Sequence, residues 1–518
     1  MMDGYLGKEA AMRLVFGGVL VAVGMLTLAV AKGQERKGES AVLETLDKQF
    51  QSAAEKASPS IACIIVSRSE LYPKALVAEA PGKLGGFDRT EFLKGDVTPE
   101  RQRLANWLDL SHKESIPDHG NVGGVVIDPA GLILTTYHAI EDARKIFVYL
   151  PGSNGMPKGS YADIYAADAR SDLAVLKLIQ PLDGLKAITM ADVRCPDRFT
   201  QNATVVPGKL IGLMAFTYTS GFALDAPSIE YGSISKVCYR ITPPSEQKIS
   251  ENYYNYGVFL EHKVKLNSSI TGSVLINLAG EMVGLTASAG VLADKDFGPN
   301  YAIPMENSVR KVVSVLRRGE EVEYGFLGIE PRNQSNMIQS LTPRGPAEAA
   351  GLLAGDVVIQ INNTPISSFQ DLLFHVGNAL AGTEVQLTVR RNLETLVFTA
   401  TLGKFWHAQP SIASVRPEPV FGLRVDHLNF VAHNNQVNER SDGRIVRGVA
   451  VRDVVSDSPA ARKFKTLGDE PSVWIITQVN GTSVRTPADF YRVTKGQSTV
   501  KLNLRDWSDT SRRELTLP

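Results

Sequence analysis

Residues 323–404 and 420–518 repeat one order of signals, and an internal repeat implies that each copy is a structural unit of its own. Each copy opens on a Phe/Gly/Leu turn: Gly325-Phe326-Leu327-Gly328 in the first, Phe421-Gly422-Leu423 in the second. A helix start follows, Gly345-Pro346-Ala347-Glu348-Ala349-Ala350-Gly351 and Ser458-Pro459-Ala460-Ala461, with proline where a first helical turn accepts it. Next comes a strand ending in Asn-Asn or Asn-Gly (Val357–Asn363, Trp474–Gly481), then a helix (Ser368–Leu380, Pro487–Thr494) and a closing strand. Trp406 to Pro419, rich in Pro and Ser, reads as the linker between the copies.

The texture ahead of the repeat is different. Short β-like runs follow one another at Ile61–Val66, Gly124–Ile127, Leu132–Thr136, Ile146–Leu150 and Leu173–Leu178. They continue at Leu210–Phe216, Val258–Leu260, Val274–Ile276 and Met282–Thr286. Closely spaced strands separated by turn residues predict a β-barrel or sandwich, not alternating βαβ units. An amphipathic helix is expected over Ala41–Ala57, and another over Met305–Arg318 that stops at Gly319. Glu70–Gly120 interrupts the strands with Pro, Gly and charge, and reads as an insertion with helix around Pro99–Leu110. The chain thus divides into 1–40, 41–320, 323–404 and 420–518, mainly β with α+β repeats at the end.

Composition narrows the function. The 518 residues carry 55 Lys and Arg against 55 Asp and Glu, so there is no excess charge to displace the counterions of a nucleic acid. Three cysteines, Cys63, Cys195 and Cys238, lack metal-ligand spacing and read as buried apolar thiols, with one disulfide as the other reading. No metal and no cofactor is indicated. Leu14–Ala31 is uncharged and apolar, with Arg13 before it and Lys32 after it. It serves as a signal peptide cut after Ala29-Val30-Ala31, or as an uncleaved membrane anchor, and either reading exports the rest. The polar stretch Lys32–Ser40 then reads as a linker.

Of eight histidines, His138 stands at the end of the apolar strand Leu132-Ile133-Leu134-Thr135-Thr136. Asp172, in Asp168-Ala169-Arg170-Ser171-Asp172-Leu173, leads another strand. An imidazole and a carboxylate so placed could be the base and its orienter in a nucleophilic triad. These stretches, with Gly123-Gly124-Val125-Val126-Ile127-Asp128 upstream and Asn300-Tyr301-Ala302-Ile303-Pro304 downstream, resemble the HtrA/DegP family of chymotrypsin-like serine proteases. The two repeats look like that family's PDZ domains, and the resemblance runs in order from Leu43 to Pro518. It implies a double β-barrel with His138 as general base and Asp172 as its orienter. It also implies export to the periplasm or cell envelope and assembly as a trimer or higher oligomer.

The third triad position departs from the family pattern, Asn-Pro-Gly-Asn-Ser-Gly-Gly-Pro-Leu. The downstream part, Leu275-Ile276-Asn277-Leu278-Ala279-Gly280-Glu281, is intact, and reading back without a gap puts Thr271 where the nucleophilic serine belongs. Ser269 falls on the glycine whose amide completes the oxyanion hole, with Ile270 and Gly272 in the same loop. Ser273 and Val274 replace the second Gly and the Pro. The β-methyl of threonine restricts χ1 and crowds the attack. Losing one oxyanion donor costs about 100- to 1000-fold in rate. Lys263 and Lys265 approach the loop and read as a solvated strand face, the other reading being a pocket recast for acidic groups.

In the first repeat the amides of Gly325-Phe326-Leu327-Gly328 would meet a peptide C-terminal carboxylate, with Leu327 and Ile329 lining the terminal side-chain pocket. Phe421-Gly422-Leu423 could act likewise in the second. The expectation is a catalytically impaired homologue that binds unfolded proteins or peptide C-termini. The alternatives are an active endopeptidase using Thr271, and a membrane-tethered adaptor.

Overall fold

The computed structural model describes residues 36–72, 82–95, 97–111, 120–152, 158–195, 203–215, 227–240, 257–264, 271–287, 300–333, 335–342, 345–405, 412–427, 448–467, 474–506 and 511–518. The candidate signal or anchor Leu14–Ala31 lies outside them, as do Lys265, Ser269 and Ile270.

Twelve strands build two closed antiparallel barrels. The first uses β1 (Ile61–Ser67), β2 (Gly120–Asp128), β3 (Leu132–Thr136), β4 (Lys145–Leu150), β5 (Lys158–Asp168) and β6 (Leu173–Leu178). Their order is β5-β4-β1-β2-β3-β6, and pairing of β5 with β6 closes the ring. The second uses β7 (Leu210–Ala215), β8 (Ser228–Arg240), β9 (Val258–His262), β10 (Val274–Ile276), β11 (Met282–Thr286) and β12 (Asn300–Pro304), closed in the order β10-β11-β12-β9-β8-β7.

The uninterrupted apolar run of β1 is explained by burial on both faces. Side chains alternate across a strand. Ile61, Cys63 and Ile65 join a core that continues into the second barrel through Leu213, Phe259 and Val274. Ala62, Ile64 and Val66 face a second core belonging to the first barrel alone. The barrels are therefore joined through shared apolar packing, and the residues between them are fixed from both sides.

Strands β5, β8 and β12 are absent from the run of strands expected from the sequence. β5 alternates half-exposed and buried residues built from small and polar types, which gives it little apolar signal. The helix expected from Ala41 begins at Arg36, so the stretch read as linker is helical over its last residues. Ala53 and Ala57 of that helix are buried against the barrels. The closing helix runs Asn307–Arg317, with the Glu306 side chain accepting from the Ser308 and Val309 amides at its start. The three-thiol reading is corrected: Cys63 is a buried free thiol, but Cys195 is disulfide-bonded.

Each repeat folds as a small sheet with helices. The capping device is shared: Ser368 and Asp371 form a capping box on the helix Phe369–Gly377, and Thr486 and Asp489 form one on Pro487–Thr494. The segment between the repeats is no free linker in its described part. Ile412–Ala413 forms a short strand paired antiparallel with Ala167 and Ala166 of β5, and the Ser414 amide donates to the Tyr165 carbonyl at 2.9 Å.

The insertion is also docked. The amides of Leu84 and Gly85 donate to Asp163 Oδ1 at 2.7 and 2.8 Å. Their carbonyls accept from the buried Lys145 ammonium, at 3.3 Å for Gly85. Tyr72, Phe87 and Leu108 bury an apolar cluster beneath.

Candidate active site

His138 sits in a single helical turn, Tyr137–Ile140, that begins where β3 ends. Asp172 closes the turn between β5 and β6, fully buried, with φ of 55° in the left-handed region that aspartate tolerates better than most residues. Because β3 pairs with β6, Thr136 lies opposite Leu173, and the turn and the helix meet. Three hydrogen bonds join them. The Tyr137 amide donates to the Asp172 carbonyl at 3.0 Å, the His138 amide to Asp172 Oδ1 at 2.8 Å, and His138 Nδ1 to Asp172 Oδ2 at 2.6 Å. A carboxylate only accepts, so it selects the tautomer with the proton on Nδ1 and leaves Nε2 as a base. Such a pair can take a proton from a hydroxyl and stabilise the imidazolium that results.

Thr271 stands just before β10 of the second barrel, with its backbone facing the first. The Gly123 amide donates to the Thr271 carbonyl at 2.8 Å, and the Thr135 hydroxyl to the Gly123 carbonyl at 2.8 Å. On the other side the Gly272 amide donates to the Thr286 carbonyl at 3.0 Å, and the Ser273 amide to Thr286 Oγ1 at 2.8 Å. The approach of the two chains explains both glycines. A Cβ on Gly123 would lie 2.6 Å from the Gly272 carbonyl, and one on Gly272, where φ is 79°, would lie 2.4 Å from the Gly123 oxygen.

The structure thus brings His138 and Asp172 into contact and anchors Thr271 across the barrel junction. Among the described residues no hydrogen bond links Thr271 to His138. Ser269 and Ile270 lie outside those residues, while Gly272 is placed as above; Lys263 is exposed. The sequence reading assigned no role to Gly123, Thr135 or Thr286. The Gly-Gly pair inside a strand was the available signal, since glycine there marks a close backbone approach.

The turns of the two repeats are built alike. In the first, the Leu327 and Gly328 carbonyls accept from the Ala347 and Thr342 amides at 2.9 Å each. In the second, the Phe421 and Gly422 carbonyls accept from Ala460 at 3.1 Å and Val455 at 2.8 Å. Leu327 is buried in the repeat's core, with Ile329 packed beside it. The second turn differs in being closed on itself: Val420 and Leu423 exchange amide-to-carbonyl bonds at 2.9 Å, which occupies the Leu423 amide. Gly325 and Phe326 pair with Lys404 and Gly403.

Among the described residues, no group of three or more His, Cys, Asp or Glu side chains is placed to hold a metal ion.

The family model of the trypsin-like peptidase domain matches residues 123–285, and that of the PDZ domain matches residues 325–402. A protein of Halomonas elongata described as a probable periplasmic serine endoprotease DegP-like is 26% identical over 488 residues, 89% of this chain and 90% of its own. The periplasmic serine endoprotease DegP of Salmonella typhimurium is 26% identical over 398 residues, covering 73% and 72%. The periplasmic pH-dependent serine endoprotease DegQ of Escherichia coli is 24% identical over 416 residues, covering 77% and 81%.

Proposed function

For a chain of the HtrA/DegP type, with a trypsin-like peptidase domain followed by a PDZ domain, we propose a periplasmic protein of envelope quality control whose peptidase centre is impaired. It binds unfolded proteins or peptide C-termini through its first repeat, in a homo-trimer or higher oligomer. The observation that carries this reading is the nucleophile position. Thr271 stands there without a hydrogen bond to His138 among the described residues, in a loop that has also exchanged glycine for Ser269. The side chain at 269 could re-orient the amide that would stabilise the oxyanion.

Peptide capture falls to Gly325-Phe326-Leu327-Gly328, through amides other than that of Gly325, which already donates to the Ala379 carbonyl at 2.7 Å, with Leu327 and Ile329 against the terminal side chain. Phe421-Gly422-Leu423 contributes less, because the Leu423 amide already has an acceptor. Export is supported by the periplasmic relatives and by the disulfide at Cys195, since such bonds persist in oxidising compartments.

A second reading has its own observation: the His138–Asp172 contact is intact. In that reading Nε2 of His138 takes the proton of the Thr271 hydroxyl as its oxygen attacks a peptide carbonyl, and Asp172 holds the imidazolium. The test is cleavage of unfolded casein by the purified chain, beside Thr271→Ala and Thr271→Ser. Impairment predicts wild type at the alanine background and a gain of at least ten-fold in Thr271→Ser. Wild-type cleavage that disappears in Thr271→Ala establishes the endopeptidase instead.

A further inference from the structure

The turn that presents Asp172 is held from outside the barrels. Asp168 Oδ2 accepts from the Ser171 amide at 2.9 Å and its hydroxyl at 2.5 Å, which sets the turn. The same oxygen accepts from the hydroxyl of Tyr324, a buried residue on the segment that enters the first repeat. Arg170, inside the turn, lies 4.1 Å over the Tyr324 ring and 5.3 Å from that of Phe405, at the other end of the repeat. Its Nη2 donates at 2.7 Å to the carbonyl of Gly377, the last residue of the repeat's helix. A guanidinium there also meets the negative end of the helix dipole.

We infer that Tyr324 and Arg170 are positioning residues for Asp172, so that the first repeat completes the His138–Asp172 pair. The physical need is plain. Asp172 is in the left-handed region, where a non-glycine residue is held only by its surroundings. Its own carbonyl and both carboxylate oxygens already serve the helix carrying His138. Within the turn the Asp172 amide donates to the Ala169 carbonyl at 3.3 Å, and the turn is tied outward through Asp168 and Arg170, which end on residues of the first repeat or its entry. Tyr324 is buried with its phenol beside Asp168, so burial and that carboxylate hold it protonated and donating. The inference rests on reading His138 and Asp172 as base and orienter, though not on whether turnover survives.

The test is hydrogen exchange by mass spectrometry on the full chain, wild type beside Tyr324→Phe, which keeps the ring and removes the hydroxyl. The amides of Tyr137 and His138 both donate to Asp172 and report its placement without any cleavage assay. The expected result is exchange at least ten-fold faster at these two amides and across 169–173, with β1 and β7 unchanged. In the Thr271→Ser background the same variant lowers kcat while KM holds.

Unchanged exchange at Tyr137 and His138 would overturn the inference, and so would equal acceleration throughout the barrels. Should Tyr324→Phe fail to fold, Arg170→Lys gives the same reading, because lysine retains the charge and loses the stacked plane. If no form cleaves casein, the peptidase reading fails, while the exchange result still decides this one.

Discussion

The backbone frame at Thr271 is built by other residues. Gly123, Thr135 and Thr286 hold it through main-chain groups and hydroxyls of both barrels. His138 and Asp172 were legible because each lies in a local motif of apolar strand and polar turn. The residues that frame Thr271 carried a weaker signal, the Gly123-Gly124 pair inside a strand, which marks a close backbone approach. Another residue carried none. His262 faces the interior of the second barrel, 2% exposed, and neither ring nitrogen has a partner among the described residues. Burial pushes its pKa down to about 4. The unfolded chain binds this proton near pH 6.5, so the folded state loses stability as pH falls from there to its own pKa, by roughly 3 kcal/mol in all. His262→Leu should flatten the acid side of the stability curve by that amount. Urea unfolding at pH 7 and pH 4.5 measures it, and an unchanged difference between the two pH values would refute a neutral buried imidazole.

At the level of elements, most strands buried on both faces were readable, whereas β5, with one wet face, was not. β1, β3 and β6 are apolar runs whose period does not matter because every residue is buried or nearly so. β5 has Lys, Gly, Ser and Asp in it, and its strand character comes from neighbours on both sides. One of those neighbours is the stretch after the first repeat. Pro and Ser content argued for a free linker there, yet Ile412–Ala413 joins the edge of β5, and the Val415 amide continues to the Gly319 carbonyl at 2.9 Å. Sequence composition cannot report an edge that happens to be vacant nearby. Proline at 414 would remove the amide that donates to the Tyr165 carbonyl. Ser414→Pro should make the chain between the repeats cleavable by added protease at least ten-fold faster, read as fragments of the two halves on a gel. Thermal unfolding of the barrels should move by less than about 2 °C, and a variant as resistant as wild type would show the strand pairing to be dispensable.

Across the whole molecule, the second repeat is tied to the rest by charge. Lys404, at the end of the first repeat, is buried and reaches Glu321 at 3.3 Å, Glu323 at 2.9 Å and Asp426 at 2.7 Å. Arg452 of the second repeat meets Glu321 and, at 2.6 Å, Asp426. Burial raises the Glu321 and Asp426 carboxyls, and Lys404 with Arg452 more than reverses this, leaving both below the usual range. Lys404 is lowered by burial and raised further by its three carboxylates, so its net shift is upward. The sign of the pH dependence follows. Depressed carboxyls contribute stability that is complete above about pH 5 and is lost only as pH falls through their folded values. Lys404→Met removes the cation and leaves Glu321 and Asp426 facing Arg452 alone, at a cost of about 3–5 kcal/mol to the junction. X-ray scattering at pH 7 should show a larger radius of gyration in the variant, with the second repeat released. Acid should then act in opposite directions. Wild type loosens below pH 4, whereas the variant contracts between pH 7 and pH 4.5, because protonating the stranded carboxyls relieves their burial. Adding Asp426→Asn to Lys404→Met should restore much of the compact form at pH 7, since neighbours in one ion cluster are not additive. A variant as compact as wild type at pH 7 would mean that apolar packing, not this cluster, holds the second repeat in place.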